Sequence, residues 1–193
     1  MQQPENDIVY IDETSFHLWM SPGRLWIKQG MKVQLPDQRG QSITMIGALS
    51  IHHGLIHTEA FAGSNNVDTF LPFIMRLKEK CKDRPTIVVM DNLSVHHSKI
   101  LKPHFDERHF IAKYLPPQSC ALNPIEQVWN VIKCEWKKTS YMVLDVSKKK
   151  EEQIAAAVDR IQGIADGINQ EMMIRMARGN YDAMVKTLQG YLV

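Results

Sequence analysis

Three acidic residues stand where chemistry can be done. Asp12 follows the run Ile8-Val9-Tyr10-Ile11, Asp91 follows Thr86-Ile87-Val88-Val89-Met90, and Glu126 lies just inside the segment "NPIEQVWNVIKCEWKK". Three carboxylates gathered at one point repel one another, and a divalent cation between them relieves that repulsion. Oxygen ligands without sulfur or imidazole suit Mg²⁺ or Mn²⁺. A pair of such ions, about 4 Å apart, activates a water or hydroxyl and stabilises the leaving oxygen of an in-line phosphoryl displacement. Each acid also has a plainer reading. Aspartate is common where a strand stops. A glutamate at N3, with Asn123 as N-cap, can reach back to the cap and meets the helix dipole favourably. For Glu126 the two readings are not exclusive.

These acids need elements to hold them. "DIVYID", Asp7 to Asp12, reads as a buried strand ending in its acid. "QSITMIGALSIHHGLIHTEAFAG" reads as two long strands around a tight turn at His53-Gly54, an antiparallel hairpin. Val67, Phe70, Leu71, Ile74 and Leu77 have the spacing of a helix with one buried face. "PTIVVMDN" is a continuous apolar run, as in a central strand covered on both faces. A short helix is expected near Ser98 to Phe105, then a strand in "HFIAKYLPP" that stops at the prolines. Asn123 at N-cap, Pro124 at N1 and the stripe Ile125, Val128, Trp129, Ile132, Trp136 predict a long helix. Beyond the basic connector "KKTSYMVLDVSKKKEE", apolar residues from Ile154 through Ile164 and Ile168 to Met176 keep helical steps, with a break at Gly179-Asn180 before a last short helix. Two short extended segments are expected between His17 and Gly40. The order predicts an α/β fold, a mixed sheet of antiparallel hairpin plus parallel strands flanked by helices, with its central strands ending at a crevice. The first and central strands, side by side, would bring Asp12 and Asp91 to that crevice.

Composition narrows the class. At 193 residues and 44% apolar, the chain supports one sizeable core. Its 23 basic and 21 acidic residues leave a net charge of +2, which neither demands nor excludes a polyanionic partner. Cys81, Cys120 and Cys134 form no C-x-x-C pair and are odd in number, so they support neither a zinc knuckle nor a disulfide framework. A reducing, intracellular setting is the simpler expectation. The N-terminus "MQQPENDIVYIDE" has no basic segment before an apolar run, and no apolar run is long enough to cross a bilayer, so a soluble protein without a membrane partner is expected.

"VYIDET", "VVMDNLSVHHSK" and "AKYLPPQSCALNPIEQVWNVIK" resemble the three catalytic blocks of the mariner-like superfamily of DDE transposases, with the related bacterial insertion-sequence enzymes. Between Asp91 and Glu126 lie 34 residues, as in the family's variant of that spacing. "LPP" followed by "LNPIEQVW" is the specific part, and the likeness extends to "GRLWIKQG", "FAGSNNVDTF" and "RMARGNYDAMVKTLQGYL". The resemblance implies a ribonuclease H-like fold, a single catalytic domain over residues 1–193 and a two-metal Mg²⁺ or Mn²⁺ site. Residues 139–193 would form a connector and C-terminal helices packed on that domain. Asp12 and Asp91 are implied as shared metal ligands, with Glu126 as the third beside the water or 3′-hydroxyl nucleophile. It further implies cleavage of double-stranded DNA at transposon ends and strand transfer into target DNA at a TA step, by a homodimer in the active complex. Localisation would be nuclear in a eukaryote and cytoplasmic or nucleoid otherwise. The family's N-terminal helix-turn-helix modules are expected to be absent, since the first strand begins at about Ile8. The chain departs from the family's "LPPYSPDLNPIE" at Gln118, Cys120 and Ala121, which puts activity rather than fold in question.

Two rival readings stand beside this one. A repurposed or inactive copy would act as a DNA-binding or assembly protein, although such a role needs no triad of acids. Another ribonuclease H-like nuclease would draw a fourth acid from a late helix, Asp159 or Asp166. Among supporting residues, Asn92 and His96 match family positions beside the second aspartate, where they orient a ligand, contact a phosphate or merely tie up their own loop. Lys133, Lys137, Lys138 and Lys148 to Lys150 either contact phosphates or line a solvated face. His52, His53 and His57 are split between strand faces by hairpin spacing, which argues against a metal site. Trp19 and Trp26 read as packing residues, and the C-terminal methionine and isoleucine stripe as core.

Overall fold

Alternation along the first strand decides which side of the sheet each helix covers. In the computed structural model, residues 6–18, 28–30, 42–106, 108–117, 119, 122–139 and 149–188 are described. The extended segments expected between His17 and Gly40, with Trp19 and Trp26, lie outside the described residues, as do Gln118, Cys120, Ala121 and Lys148. Strand β1 (Asp7–His17) pairs antiparallel with β2 (Ser42–Ser50), and β2 with β3 (Gly54–Ala62). On its other side β1 pairs parallel with β4 (Thr86–Met90), and β4 with β5 (Phe110–Tyr114). The sheet order is β3-β2-β1-β4-β5, the mixed sheet expected.

Val9 and Ile11 face one side, where they pack with Ile46, Val88, Phe110 and the buried stripe Phe70, Phe73, Ile74 and Leu77 of α1 (Val67–Lys80). The start of α1 is fixed by a reciprocal capping box, in which Asn66 Oδ1 accepts from Thr69 N–H at 3.0 Å and Thr69 Oγ1 accepts from Asn66 N–H at 2.9 Å. Tyr10 and Phe16 face the other side. There they meet α2 (Ile125–Thr139), α3 (Lys150–Asp166) and α4 (Gln170–Leu188) in a second core that holds Trp129 and Trp136. Each buried aromatic of this kind contributes roughly 1.5–3 kcal/mol of transfer free energy. The outer edge of β3 would be open for pairing with another chain. Helix side chains occupy it instead: Gln162 accepts from Ala60 N–H at 3.1 Å, and Gln170 bonds both Leu55 N–H and Leu55 C=O. The tight turn before β3 is completed by Gly54 at φ +73. Among the described residues no helix is long and apolar enough to cross a membrane.

Three sequence expectations change. Strand β1 does not stop at Asp12 but runs five residues further to His17, because Thr14 and Phe16 continue the buried alternation against β2. The short helix expected near Ser98 to Phe105 is two 3₁₀ turns, Ser94–His97 and Lys102–His104. Of the residues between 94 and 104 only His96 and Leu101 are buried, too few for a helical stripe. The C-terminal break falls at Gly167–Asn169 rather than Gly179-Asn180. Gly167 N–H closes α3 on Gly163 C=O at 3.1 Å, and Asn169 Oδ1 caps α4 by accepting from Met172 N–H at 3.1 Å. The apolar steps from Ile164 to Met176 cross this break without interruption, so periodicity alone conceals it.

Helix α4 is therefore continuous through Gly179, where an added Cβ meets nothing within 4 Å. Gly179→Ala is expected to stabilise the protein by about 0.5–1 kcal/mol, read as a rise in thermal midpoint. A helix broken at that point would lose stability instead.

Candidate active site

The ladder between β1 and β4 runs from Asp7↔Thr86 to Tyr10↔Val89. Two residues further in the same register, Asp12 and Asp91 stand abreast on the face that α2 covers. Asp12 thus lies where β4 has ended while β1 continues beside β2, opposite Gly47. Trp129 reaches it from α2, its indole Nε1–H donating to Asp12 Oδ2 at 3.1 Å. Burial, then the nearby Glu126 charge, push the Asp12 pKa up to about 7, against the lowering hydrogen bonds from the Glu13 backbone and Trp129.

Asp91 is held from the α1 side. Its Oδ1 meets His96 Nδ1 at 2.9 Å and accepts from Leu93 N–H at 3.1 Å. The other ring nitrogen of His96 meets Glu13 Oε1 at 3.0 Å. The His96 Nδ1 also lies 3.2 Å from the Asp91 backbone carbonyl, so the ring is held between Asp91 and Glu13. Burial acts to lower its pKa, but the hydrogen bond and charge of Glu13, with Asp91, raise it overall. The ring is fully buried against Phe70, with centroids 4.6 Å apart. Glu13 then accepts from Asn65 Nδ2, and Asn65 Oδ1 accepts from Thr69 Oγ1 at 2.8 Å, joining Asp91 to the capped start of α1.

Glu126 is aimed by the start of α2. Asn123 is buried, its Oδ1 accepting from Ile125 N–H at 3.4 Å and its carbonyl from Glu126 N–H at 3.2 Å. Its Nδ2 donates to Ile11 C=O at 3.5 Å, one residue before Asp12, which ties the helix start to β1. The reach of Glu126 back to its cap is not made. The carboxylate is exposed and has no hydrogen bond or ion pair with any described residue.

All three acids line one cleft of about 320 Å³, with Asn92 and Asn123 among its polar groups and Leu93, Leu115 and Pro116 on its apolar wall. As the side chains stand, no three His, Cys, Asp or Glu groups among the described residues are close enough to chelate an ion. The chemistry of the donors nevertheless fits a hard divalent cation. They are all oxygens, Asp91 is oriented by Leu93 and His96 and Asp12 by Trp129 and the Glu13 backbone, Glu126 is uncommitted among the described residues, and the Asp12–Glu126 repulsion is of the kind a cation removes.

Of the other predicted residues, Asn92 lines the cleft and accepts from His97 Nε2, while His96 supports Asp91 from beneath. Lys133 and Lys137 share the α2 face of Glu126 and make no ion pair with a described residue; Lys138 sits about a third of a turn away and is paired with Glu135 at 2.6 Å. His57 stacks on Phe73 and bonds Glu59. Asp159 and Asp166 are not in the cleft: Asp166 accepts from Gln162, and Asp159 borders a groove between β3 and α3. Sequence reasoning missed Glu13, Asn65 and the role of Gly47. A lone glycine inside a strand is a signal of close approach, and it marks the place where the Trp129 indole lies.

Solved structures share this architecture. A Mos1 transposase catalytic domain with Raltegravir and Mg superposes with a TM-score of 0.60 at 10% identity, over 95% of this chain and 82% of that one. A Mos1 transposase paired-end complex with left transposon end gives 0.54 at 14% identity, over 84% of this chain and 55% of that one. A Mos1 mariner paired end complex with Mn gives 0.53 at 14%, over 82% and 53%. The fold is thus ribonuclease H-like, and the chain spans about half the length of the paired-end-complex chains it matches. No curated protein matches the sequence. The family model for the DDE superfamily endonuclease matches residues 7–146, a span that holds β1 to α2 and all three acids, and the chain belongs to that superfamily.

Proposed function

We propose that this chain is the catalytic domain of a cut-and-paste DNA transposase, with Asp12, Asp91 and Glu126 as its catalytic acids. The observation that carries this reading is the convergence of the three on one cleft, within the span that matches the DDE superfamily endonuclease. Asp12 and Asp91 would hold Mg²⁺ or Mn²⁺ between them, and Glu126 completes the set. The bound ions would supply the activation of a water or 3′-hydroxyl and the stabilisation of the leaving oxygen. The residues of the chain do the rest. Trp129 and His96 orient the two aspartates, Asn123 aims the helix carrying Glu126, and Leu93, Leu115 and Pro116 keep one side of the cleft apolar. Lys133 and Lys137 extend from Glu126 along α2, where they can follow a DNA backbone. The paired-end complexes of the Mos1 relatives support transposon ends as substrate. Strand transfer into a TA step, and a homodimer as the acting form, belong to the same proposal.

Three measurements test it. Labelled duplex incubated with Mn²⁺ and the chain fused to an end-binding module should be nicked, and Asp91→Asn should lower that rate by about a thousandfold or more. Cleavage that survives this change would exclude the mechanism. Double replacement Lys133→Ala/Lys137→Ala should reduce the slope of log K against log salt by about 2, while Lys138→Ala leaves it unchanged. The third concerns the metal-free protein. The folded pKa of Asp12 is raised from 3.8 to about 7, so its ionisation opposes folding. That penalty is absent below about 4, grows as pH rises, and is complete above about 7. Asp12→Asn should therefore raise the thermal midpoint relative to the native chain, and by more at pH 8 than at pH 5. An equal midpoint difference at both pH values would contradict it.

A further inference from the structure

We infer that Trp129 is a positioning residue for Asp12, and that Gly47 is glycine so that the indole can reach it. Both buried tryptophans of α2 use their N–H groups. Trp136 donates to a backbone carbonyl, His17 C=O, at 3.3 Å, whereas Trp129 donates to a carboxylate that lines the cleft. A buried indole needs some acceptor, and a neutral carbonyl serves as well for stability alone. A hydrogen bond to Asp12 Oδ2 does something further, because it removes the free rotation of the carboxylate about χ2 and sets how it stands beside Asp91.

Gly47 supplies the independent observation. It pairs with Asp12 in the middle of β2, where glycine weakens a strand. Its backbone does not call for glycine, since the positive-φ glycines of the described chain are Gly30, Gly54 and Gly63. Space does. A Cβ at Gly47 would overlap Cη2 of Trp129 and lie 3.2 Å from its Cζ2 and 3.3 Å from Ile125 Cδ1. Any side chain there would lift the indole, and with it the N–H, from Asp12.

The inference rests on the metal-site reading of Asp12, and its test separates the two. Mn²⁺ binding to the metal-free chain, without DNA, is measured from the loss of the free-ion electron paramagnetic resonance signal. Trp129→Phe and Gly47→Ala should each weaken binding by about tenfold or more. Trp136→Phe removes an equally buried indole from the same helix and should change affinity by less than about twofold, although it lowers the melting midpoint. The double variant Gly47→Ala/Trp129→Phe should bind no more weakly than Trp129→Phe, because the outer indole atoms that the new methyl would displace are gone. In the unmodified protein, Tb³⁺ bound in place of Mn²⁺ should emit on indole excitation, and Trp136→Phe should keep that emission. Native affinity in Trp129→Phe, equal losses in Trp129→Phe and Trp136→Phe, or no sensitised emission from the unmodified protein overturns the positioning role without touching the metal reading, provided Asp12→Asn binds weakly. Native affinity in Asp12→Asn overturns the metal reading and this inference together.

Discussion

The parallel ladder between β1 and β4 is the constraint on which the rest of the structure depends. Strand side chains alternate, so a slip of one residue would send Asp12 to the α1 face and leave Asp91 alone at the cleft. The register is held by burial on both faces. Val9, Ile11 and Val88 meet α1 while Tyr10 and Phe16 meet α2, and a shift of one residue satisfies neither. Because β4 ends at Met90 while β1 runs on to His17, the two aspartates lie at the step between a long and a short strand. That step opens the cleft, and it leaves Asp12 flanked by β2 on one side and by space for a ligand on the other.

Gathering acids at such a step is electrostatically unfavourable, and the surrounding residues show how the fold tolerates it. Asp91 is met by the buried His96 ring, whose other nitrogen meets Glu13 on the opposite face of β1. Asp12 is met by the N–H of Trp129 and the backbone of Glu13, and burial, then the Glu126 charge, outweigh them to raise its pKa. Glu126 escapes the problem by exposure. The two aspartates are therefore supported in different ways: one by a hydrogen-bonded network anchored in the cap of α1, the other by an indole donor anchored in the second core.

Much of this was legible beforehand. The strands carrying Asp12 and Asp91, the hairpin, α1 and α2 followed from apolar patterning, and the Asn123-Pro124 start placed Glu126 in the first turn of α2. The failures have physical reasons. The end of β1 was misplaced because "ETSF" alternates with only one large apolar residue, and its burial depends on β2. The boundary between α3 and α4 was hidden because the apolar stripe continues across it, while the signals that end one helix and start the next are single backbone and side-chain bonds at Gly167 and Asn169.

The amino-acid order by itself determined where the three acids stand along the chain and the local starts that aim them, since these depend on residues a few positions apart. Only tertiary structure decided how they are held. Trp129 and Asp12 are 117 residues apart in sequence, and His96 and Glu13 are 83 apart. Trp129 counts as one more apolar position in a helical stripe until the sheet register sets Gly47 beneath it and Asp12 beside it. A helical stripe reports only that a face is buried; which atom of a buried side chain meets which acid is set by the packing of strands and helices far apart in the chain.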